Sequence, residues 1–187
     1  MDDYAYYIAS LIELYNSTLD RSYLEKAEQF CNEAIKRFAD TKGGFYLSEA
    51  DSDELFMNPK ETYDGAIPSG NSVMAYNFVR LYQLTGDEAY RSHAEQLMAY
   101  LASTSEDYPA GHSMFLLSKL MYDAPPTRIT VVTKDTGDSE KLRRNLPFLA
   151  NVSVVSESHE YKLLNGETTY YVCRGNTCLP PTNNLEL

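Results

Sequence analysis

The sequence of 187 residues contains no tryptophan and only three cysteines. Three cysteines are too few for the disulfide framework of a small secreted domain. No apolar run approaches the ~18 residues that a membrane-spanning helix needs, and the first residues lack the basic-then-apolar order of a secretory signal. These absences predict a cytoplasmic protein with reduced thiols and no contact with membranes.

Basic residues are also scarce, because 16 lysines and arginines stand against 27 acidic residues, which gives a net charge of −11. Most of the excess lies in residues 1–122, with 9 basic and 19 acidic side chains. A negative field repels phosphate backbones and anionic lipids. The charge therefore argues against nucleic acid and membrane surfaces as partners, although it also fits a protein that is simply kept soluble.

The sequence has no glycine-rich phosphate loop, no nucleophile elbow and no paired-histidine metal motif. Cys173 and Cys178 are separated by four residues, whereas a zinc half-site or a redox pair normally has two between the thiols. His159 is the only further ligand nearby. We therefore predict no metal and no cofactor, and a packed turn at the two cysteines that oxidation would convert into a disulfide. Cys31 lies on an apolar helix face and is predicted to be a core residue.

Apolar residues recur at three- and four-residue intervals in five segments, the pattern of amphipathic helices. The predicted helices span residues 4–15, 22–38, 72–84, 88–102 and 113–122. The fifth is apolar nearly all round, so we expect it to be buried. A short β-hairpin is predicted near 44–57, around an acidic turn.

The helical part contains an internal repeat with an offset of 67 residues. The matching pairs are Leu14-Tyr15 and Leu81-Tyr82, Asp20 and Asp87, Tyr23 and Tyr90, and Ala27-Glu28-Gln29 and Ala94-Glu95-Gln96. Antiparallel helix pairs of this kind must stack on neighbours to bury their apolar faces. The fold class predicted is therefore mainly α, a partial α/α toroid with the first, third and fifth helices inside and the second and fourth outside.

The composition changes after Pro125-Pro126. β-branched runs at 128–133 and 151–155 flank a short helical stretch at 139–146, and a third candidate strand covers 168–172. We predict helical hairpins over 1–124 and a small βαββ unit over 125–187. Such a unit is too small to be stable alone, so we expect it to dock on the helices.

Residues 59–72 form the most distinctive segment, with acidic, aromatic and turn-forming residues before a helix that Ser69, Asn71 or Ser72 can cap. The starts of the three inner helices should meet at one end of the bundle. Carboxylates beside aromatic rings there suit sugar chemistry, with one carboxyl as acid and another as base or nucleophile. The candidates are Asp3, Asp64 and His112 for catalysis and Asp2, Tyr4, Glu61, Tyr63, Ser69 and Asn71 for substrate binding. The alternative is structural, since aspartates before helices are commonly caps.

The residues that carry a resemblance are Asp2-Asp3-Tyr4-Ala5, Pro59-Lys60-Glu61, Tyr63-Asp64-Gly65-Ala66, Pro68-Ser69-Gly70-Asn71-Ser72, and Tyr171-Val172-Cys173 with Cys178 and Pro180. Over nearly the whole chain the sequence resembles the thioredoxin-domain-containing proteins related to spermatogenesis-associated protein 20. The resemblance implies a thioredoxin-like domain followed by a toroid of the six-hairpin glycosidase type, similar to those of N-acylglucosamine 2-epimerases. We expect these 187 residues to be a fragment of such a protein, without the thioredoxin-like domain and with about two and a half hairpins.

Two functions are consistent with these patterns. The first is binding or processing of a carbohydrate in the intact parent, a role in carbohydrate metabolism with a sugar-like small molecule as the partner. The alternative is a non-catalytic scaffold for a thioredoxin-like domain or another protein. We also expect self-association, as a dimer, through exposed apolar faces of the first and fifth helices.

Overall fold

The computed structural model describes residues 1–49, 57–134, 139–147, 150–175 and 177–185, with only the backbone of residues 139–141. Its helical part consists of α1 (Asp2–Thr18), α2 (Arg21–Phe38), α3 (Gly70–Thr85), α4 (Glu88–Ser105) and α5 (Ser113–Asp123). A short 3-10 helix, Pro109–His112, precedes α5. Each predicted helix is present with its ends shifted by no more than three residues, and the predicted fold class is confirmed.

The helices form two layers around one core. Helix α3 lies between α1 and α5, while α2 packs on α1 and α4 packs on α3. Residues along most of α3 are buried, as expected for the central inner helix. The largest fully buried side chains of this core are Phe78, Ile8, Ile12, Met74, Leu81 and Leu101.

The expectation that α5 is buried is wrong. Only Phe115 and Ser118 of this helix are buried, whereas Leu116 and Leu117 are each 44% exposed and Leu120 is 62% exposed. The physical reason is the position of α5 at the end of the inner layer, with α3 on one side. The sequence pattern reports the apolar character of the helix but not whether a neighbour covers it.

Each copy of the repeat contains the same type of turn between its two helices. Leu19 and Gly86 both adopt the left-handed conformation, with φ of 56° and 74°. Their backbone N–H groups donate to the carbonyl oxygens of Tyr15 and Tyr82 at 2.7 and 2.8 Å. Asp20 and Asp87 then cap α2 and α4 by accepting hydrogen bonds of 2.9 Å from Ser22 N and Ala89 N. The 67-residue offset therefore relates equivalent atoms.

The remaining elements are β1 (Arg128–Val132), α6 (Ser139–Arg144), β2 (Asn151–Val155), β3 (Thr169–Arg174) and β4 (Thr177–Cys178). They form a sheet of order β2-β1-β3-β4, in which β1 and β2 are parallel and the other pairs antiparallel. Ile129, Val131, Val152 and Val172 form a second apolar cluster that includes Leu19 from the α1–α2 turn. The Tyr15 hydroxyl donates to the Val152 carbonyl oxygen at 2.8 Å. The sheet thus contacts the helical layers at the turn.

The β-hairpin predicted near 44–57 falls in the connection after α2. In the described part of the predicted β-hairpin the only pairing is an isolated bridge between Phe45 and Ala39 at the end of α2, and residues 50–56 lie outside the described ranges.

Cys173 and Cys178 stand opposite each other on β3 and β4 and are joined by a disulfide, while Cys31 is a buried free thiol.

Candidate functional site

The N-terminal ends of α1, α3 and α5 meet at one end of the inner layer. The Asp2 carboxylate lies against the start of α3, because a Cβ added to Gly70 would come within 2.2 Å of Asp2 Oδ1. That oxygen is buried and has no hydrogen-bond partner among the described residues. The Tyr6 hydroxyl donates to the Pro68 carbonyl oxygen at 2.6 Å. The start of α1 is therefore in direct contact with the loop that leads into α3.

Asp64 joins that loop to α5. One carboxylate oxygen accepts a hydrogen bond from Ser69 N at 2.9 Å. The other accepts from Met114 N at 2.8 Å and Phe115 N at 3.3 Å, in the first turn of α5. The Asp64 side chain is buried, and its own N–H donates to the Gly111 carbonyl oxygen at 2.7 Å. A buried carboxylate with three N–H donors is a strong structural anchor, and its position at a helix N-terminus adds to the stabilisation.

Ser69 and Asn71 complete the start of α3. The Ser69 hydroxyl oxygen accepts from Ser72 N and caps the helix. The Asn71 side chain, which is buried, accepts from Phe45 N at 2.7 Å and donates to the carbonyl oxygens of Phe45 and Glu61. The Ser69 hydroxyl also donates to the Ser72 hydroxyl at 3.0 Å. Both predicted binding residues thus hold the start of α3 in place, and their role towards a substrate stays a prediction.

Tyr63 and Tyr108 form the most exposed aromatic surface at this end of the molecule. Their rings are nearly parallel, at 15°, with centroids 6.4 Å apart, and the residues are 51% and 57% exposed. Gly111 lies against both rings, since a Cβ there would come within 2.5 Å of Tyr63 and 2.7 Å of Tyr108. We call Tyr63 and Tyr108 the tyrosine pair. The hydrogen bond between Asp64 and Gly111 holds the two loops together beneath it.

His112 lies behind the tyrosine pair. The ring is buried and meets Tyr63 edge-on, with centroids 6.3 Å apart. Its Nδ1 is 3.1 Å from the Tyr108 carbonyl oxygen. A carbonyl oxygen only accepts, so this contact requires the proton on Nδ1 and leaves Nε2 as an acceptor when the ring is neutral. His112 is thereby linked to both members of the pair.

Lys60, in the same segment, anchors the connection after α2. Its Nζ donates to Asp40 and to the Gly43 carbonyl oxygen and lies 4.9 and 5.0 Å from the ring centroids of Tyr46 and Tyr100. The hydrogen bond from Lys60 holds the pKa of Asp40 well below its usual range. This ion pair has side chains only 14% and 13% exposed, so it fastens the segment to the helical layers.

The structure separates Asp3 and Tyr4 from the loop residues. Asp3 is exposed, and with Tyr4, Tyr7 and Phe30 it lines an open cavity of about 330 Å³ between α1 and α2. The Tyr4 hydroxyl donates to Glu33 at 2.8 Å, and this hydrogen bond raises the pKa of Tyr4. No hydrogen bond or ring contact between described residues joins Asp3 or Tyr4 to the loops around Asp64.

Glu61 is exposed at the edge of the loop, and its carboxylate accepts from Tyr63 N at 3.0 Å. The arrangement as a whole can stack a flat apolar face on the tyrosine pair and offer polar atoms of Glu61 and the loops at its edge. Sequence reasoning assigns no role to Tyr108 or Gly111. The sequence signal that could have identified them is the segment Tyr108-Pro109-Ala110-Gly111, in which an aromatic residue precedes a turn-forming proline and a glycine.

Neither a metal cluster nor a membrane-spanning helix is found within the described ranges. No group of three or more histidine, cysteine, aspartate or glutamate side chains in them is placed to hold a metal ion. No helix in that part of the chain is long and apolar enough to cross a membrane.

The sequence profile described as Glycosyl hydrolase family 47 matches residues 5–122. The chain is 26% identical over 216 residues to spermatogenesis-associated protein 20 of Rattus norvegicus and 25% identical over 226 residues to that of Homo sapiens, each covering 100% of this chain and 26% of the relative. It is also 25% identical over 203 residues to the uncharacterized protein B0495.5 of Caenorhabditis elegans, covering 99% of this chain and 27% of that protein. The chain thus spans about a quarter of the length of these relatives.

Proposed function

Because the chain belongs to glycosyl hydrolase family 47, we propose that it contributes a carbohydrate-binding surface, in which a sugar ring stacks on the tyrosine pair. The observation that carries the proposal is the geometry of Tyr63 and Tyr108. Two nearly parallel, half-exposed rings from separate loops are held over Gly111. Rigid aromatic rings flanked by a few polar groups are typical of small-molecule sites.

The loop residues divide into two roles in this proposal. Tyr63, Tyr108 and Glu61 touch the sugar, since they are exposed at the rim of the loops. Asp64, Ser69 and Asn71 position them through backbone hydrogen bonds. The catalytic roles predicted for Asp3, Asp64 and His112 stay predictions, because acid–base chemistry on a glycosidic bond depends on the separation of two carboxyl groups in the intact parent.

The test is a titration of the 187-residue chain with a panel of monosaccharides and disaccharides, followed by chemical-shift changes and thermal stability. We expect at least one sugar to bind, and Tyr63→Ala and Tyr108→Ala each to weaken that binding by about tenfold, in line with the loss of one aromatic contact. Gly111→Ala should weaken it as well, since the methyl group displaces both rings.

The matched control is Tyr7→Ala. Tyr7 is 48% exposed on α1 and packs edge-on against Phe30, so it resembles the pair in exposure but not in position. Equal losses in Tyr7→Ala and in the loop variants would contradict the assignment, as would a panel in which no sugar binds.

A second candidate function is assembly, and the exposed face of α5 favours it. Leu116, Leu117 and Leu120 form an apolar stripe at one end of the inner layer, and α1, with exposed Tyr7 and Leu14, lies at the other end. We propose that α5 of one copy packs on α1 of a second copy. Two copies in this arrangement supply six inner helices, the number in the six-hairpin toroid.

Light scattering at increasing protein concentration tests assembly. We expect a dimer that dissociates when Leu117 and Leu120 are both changed to glutamate, because charge on the stripe opposes burial. Leu164→Glu, at an exposed leucine in the connection between β2 and β3, is the control and should leave the dimer intact. A wild-type monomer at high concentration would contradict the proposal.

A further inference from the structure

The disulfide lies at the free edge of the sheet. Cys178 belongs to β4, a strand of two residues that pairs with β3, and it is exposed, whereas Cys173 on β3 is half-buried. The strand on the far side of β3 is β1, so β4 ends the sheet. Cys178 is therefore the more exposed of the two bonded residues, and Cys173 is the less exposed one.

Arg128 is the neighbour of Cys173 on the protein side. The two residues are Cα partners in the antiparallel pairing of β1 and β3, so their side chains lie on the same face of the sheet. Arg128 is exposed, and among the described residues its guanidinium makes no hydrogen bond or ion pair. Both residues line a cavity of about 380 Å³ under the α3–α4 turn, together with Gly86 and Glu88 of that turn and Pro125 before β1.

We propose that the Cys173–Cys178 bond is a thiol–disulfide exchange site, at which the thiolate of a dithiol reductant attacks Cys178 and Cys173 leaves towards Arg128. Cys178 is the more exposed residue of the pair, so its sulfur is the one that we expect an incoming thiolate to reach. The displaced sulfur carries the negative charge, and a guanidinium on the same face stabilises it. The cavity gives the displaced side chain of Cys173 room to move away from Cys178.

The exchange balances in two steps. In the first, the reductant's thiolate forms a new S–S bond to Cys178, and the bond between Cys178 and Cys173 breaks with its electron pair on Cys173. In the second, the reductant's other thiolate attacks the reductant sulfur that is bonded to Cys178. An S–S bond forms within the reductant, and Cys178 is released as a thiolate. The dithiol is oxidised by two electrons and the protein disulfide is reduced by two. This site lies on the sheet and does not depend on carbohydrate binding at the inner helix ends.

The first test identifies the attacked sulfur. The folded chain is incubated with reduced glutathione as a monothiol probe, quenched with acid, digested at low pH and examined by mass spectrometry. We expect glutathione on Cys178 and a free thiol on Cys173. Cys31 is an internal control for folding, since burial raises its pKa to about 12 and keeps it protonated.

The second test measures the contribution of Arg128. Arg128→Ala should slow reduction by dithiothreitol roughly threefold, as expected for a rise of about one unit in the pKa of the leaving thiol. In a Cys178→Ser background, the pH profile of alkylation of Cys173 should move to higher pH when Arg128 is also replaced. Arg174→Ala is the matched control, because Arg174 follows Cys173 in β3 and points to the opposite face.

Three results would overturn the proposal: glutathione on Cys173, a disulfide that resists reduction until the chain is unfolded, or equal effects of Arg128→Ala and Arg174→Ala. Both arginines are exposed, so each variant should fold, and a circular dichroism spectrum checks this before the rates are compared.

Discussion

The turns of the two hairpins have the same backbone hydrogen bonds, but the first is buried against the sheet and the second is exposed. Leu19 is 5% exposed and belongs to the apolar cluster of the sheet. Gly86 is exposed, and a Cβ built there would meet nothing within 4 Å. The comparison teaches that the repeat specifies the path of the chain, while the contacts of each copy depend on which other segments pack against it.

The presence of leucine in the first turn and glycine in the second can be explained by the free energies of strain and burial. A non-glycine residue with positive φ costs about 1–2 kcal/mol, and burial of a leucine side chain contributes about 2–3 kcal/mol. The first turn therefore tolerates a leucine because the sheet covers it. The second turn has no such cover, and glycine removes the strain instead.

The connection after the first hairpin also differs from the connection after the second. Asp64, in the first connection, joins the two through its backbone hydrogen bond to Gly111 in the second. Asp64→Ala removes the acceptor of three backbone N–H groups, two of them in buried hydrogen bonds, and we expect a loss of about 3–4 kcal/mol in the free energy of unfolding. Urea denaturation measures it. Asp107→Ala, at an exposed carboxylate in the connection between α4 and α5, should have almost no effect. Similar losses in both variants would mean that the Asp64 hydrogen bonds do not form.

Leu19→Ala removes the contact that distinguishes the first turn. We expect a loss of about 2–3 kcal/mol, because the cavity forms between the helical layers and the sheet. Thermal denaturation followed in the far ultraviolet measures the change. Leu164→Ala is the control, since Leu164 is 40% exposed and lies outside both the α1–α2 turn and the proposed contact between copies. If the two variants unfold at the same temperature, Leu19 does not hold the sheet to the turn.

Sequence reasoning predicted the part of the fold that local pattern determines. The helices follow from apolar periodicity, and the shared turn follows from Asp20 and Asp87, because a cap acts over two or three residues. The periodicity of α5 wrongly indicated a buried helix, because periodicity does not report which faces find a neighbour. The exposure of Leu116, Leu117 and Leu120 agrees instead with the exposed apolar face expected of a partial toroid.

The candidate site was predicted in its location but not in its detail. The segment around Tyr63 and Asp64 does lie where the inner helices begin. Two of the three donors to Asp64, however, come from Met114 and Phe115, 50 and 51 residues away, and no local pattern predicts that contact. Tyr108 joins Tyr63 through the same long-range contact, so its role depends on tertiary structure that no single segment specifies.

Tyr15 and Tyr82 are equivalent in the repeat, and only Tyr15 has a hydroxyl bonded to the sheet. Tyr15→Phe should cost about 1 kcal/mol at neutral pH, since the Val152 carbonyl loses its donor. Tyr82→Phe is the matched control, because its half-buried ring lies 5.9 Å from the Arg91 guanidinium and the change leaves that ring in place.

Burial raises the pKa of Tyr15 to about 12, from an ordinary value of 10.0. A phenol with a raised pKa in the folded state contributes its full stabilisation below pH 10, and this is lost as the pH rises through 12. The advantage of the wild type over Tyr15→Phe should therefore shrink above pH 10. Urea denaturation at pH 8, 10 and 11 measures it, and a constant difference would contradict the burial of the hydroxyl.

The smallest expected effect tests the strain itself. Gly86→Ala places a methyl group in open space at φ 74°, so any loss of stability comes from backbone conformation and not from contacts, and we expect about 1 kcal/mol. Leu19→Gly removes strain and burial together, so it should be less destabilising than Leu19→Ala, which removes the burial and keeps the strain. If Gly86→Ala is neutral by urea denaturation, the left-handed turn carries little strain. The whole effect of a substitution at Leu19 would then measure its contact with the sheet.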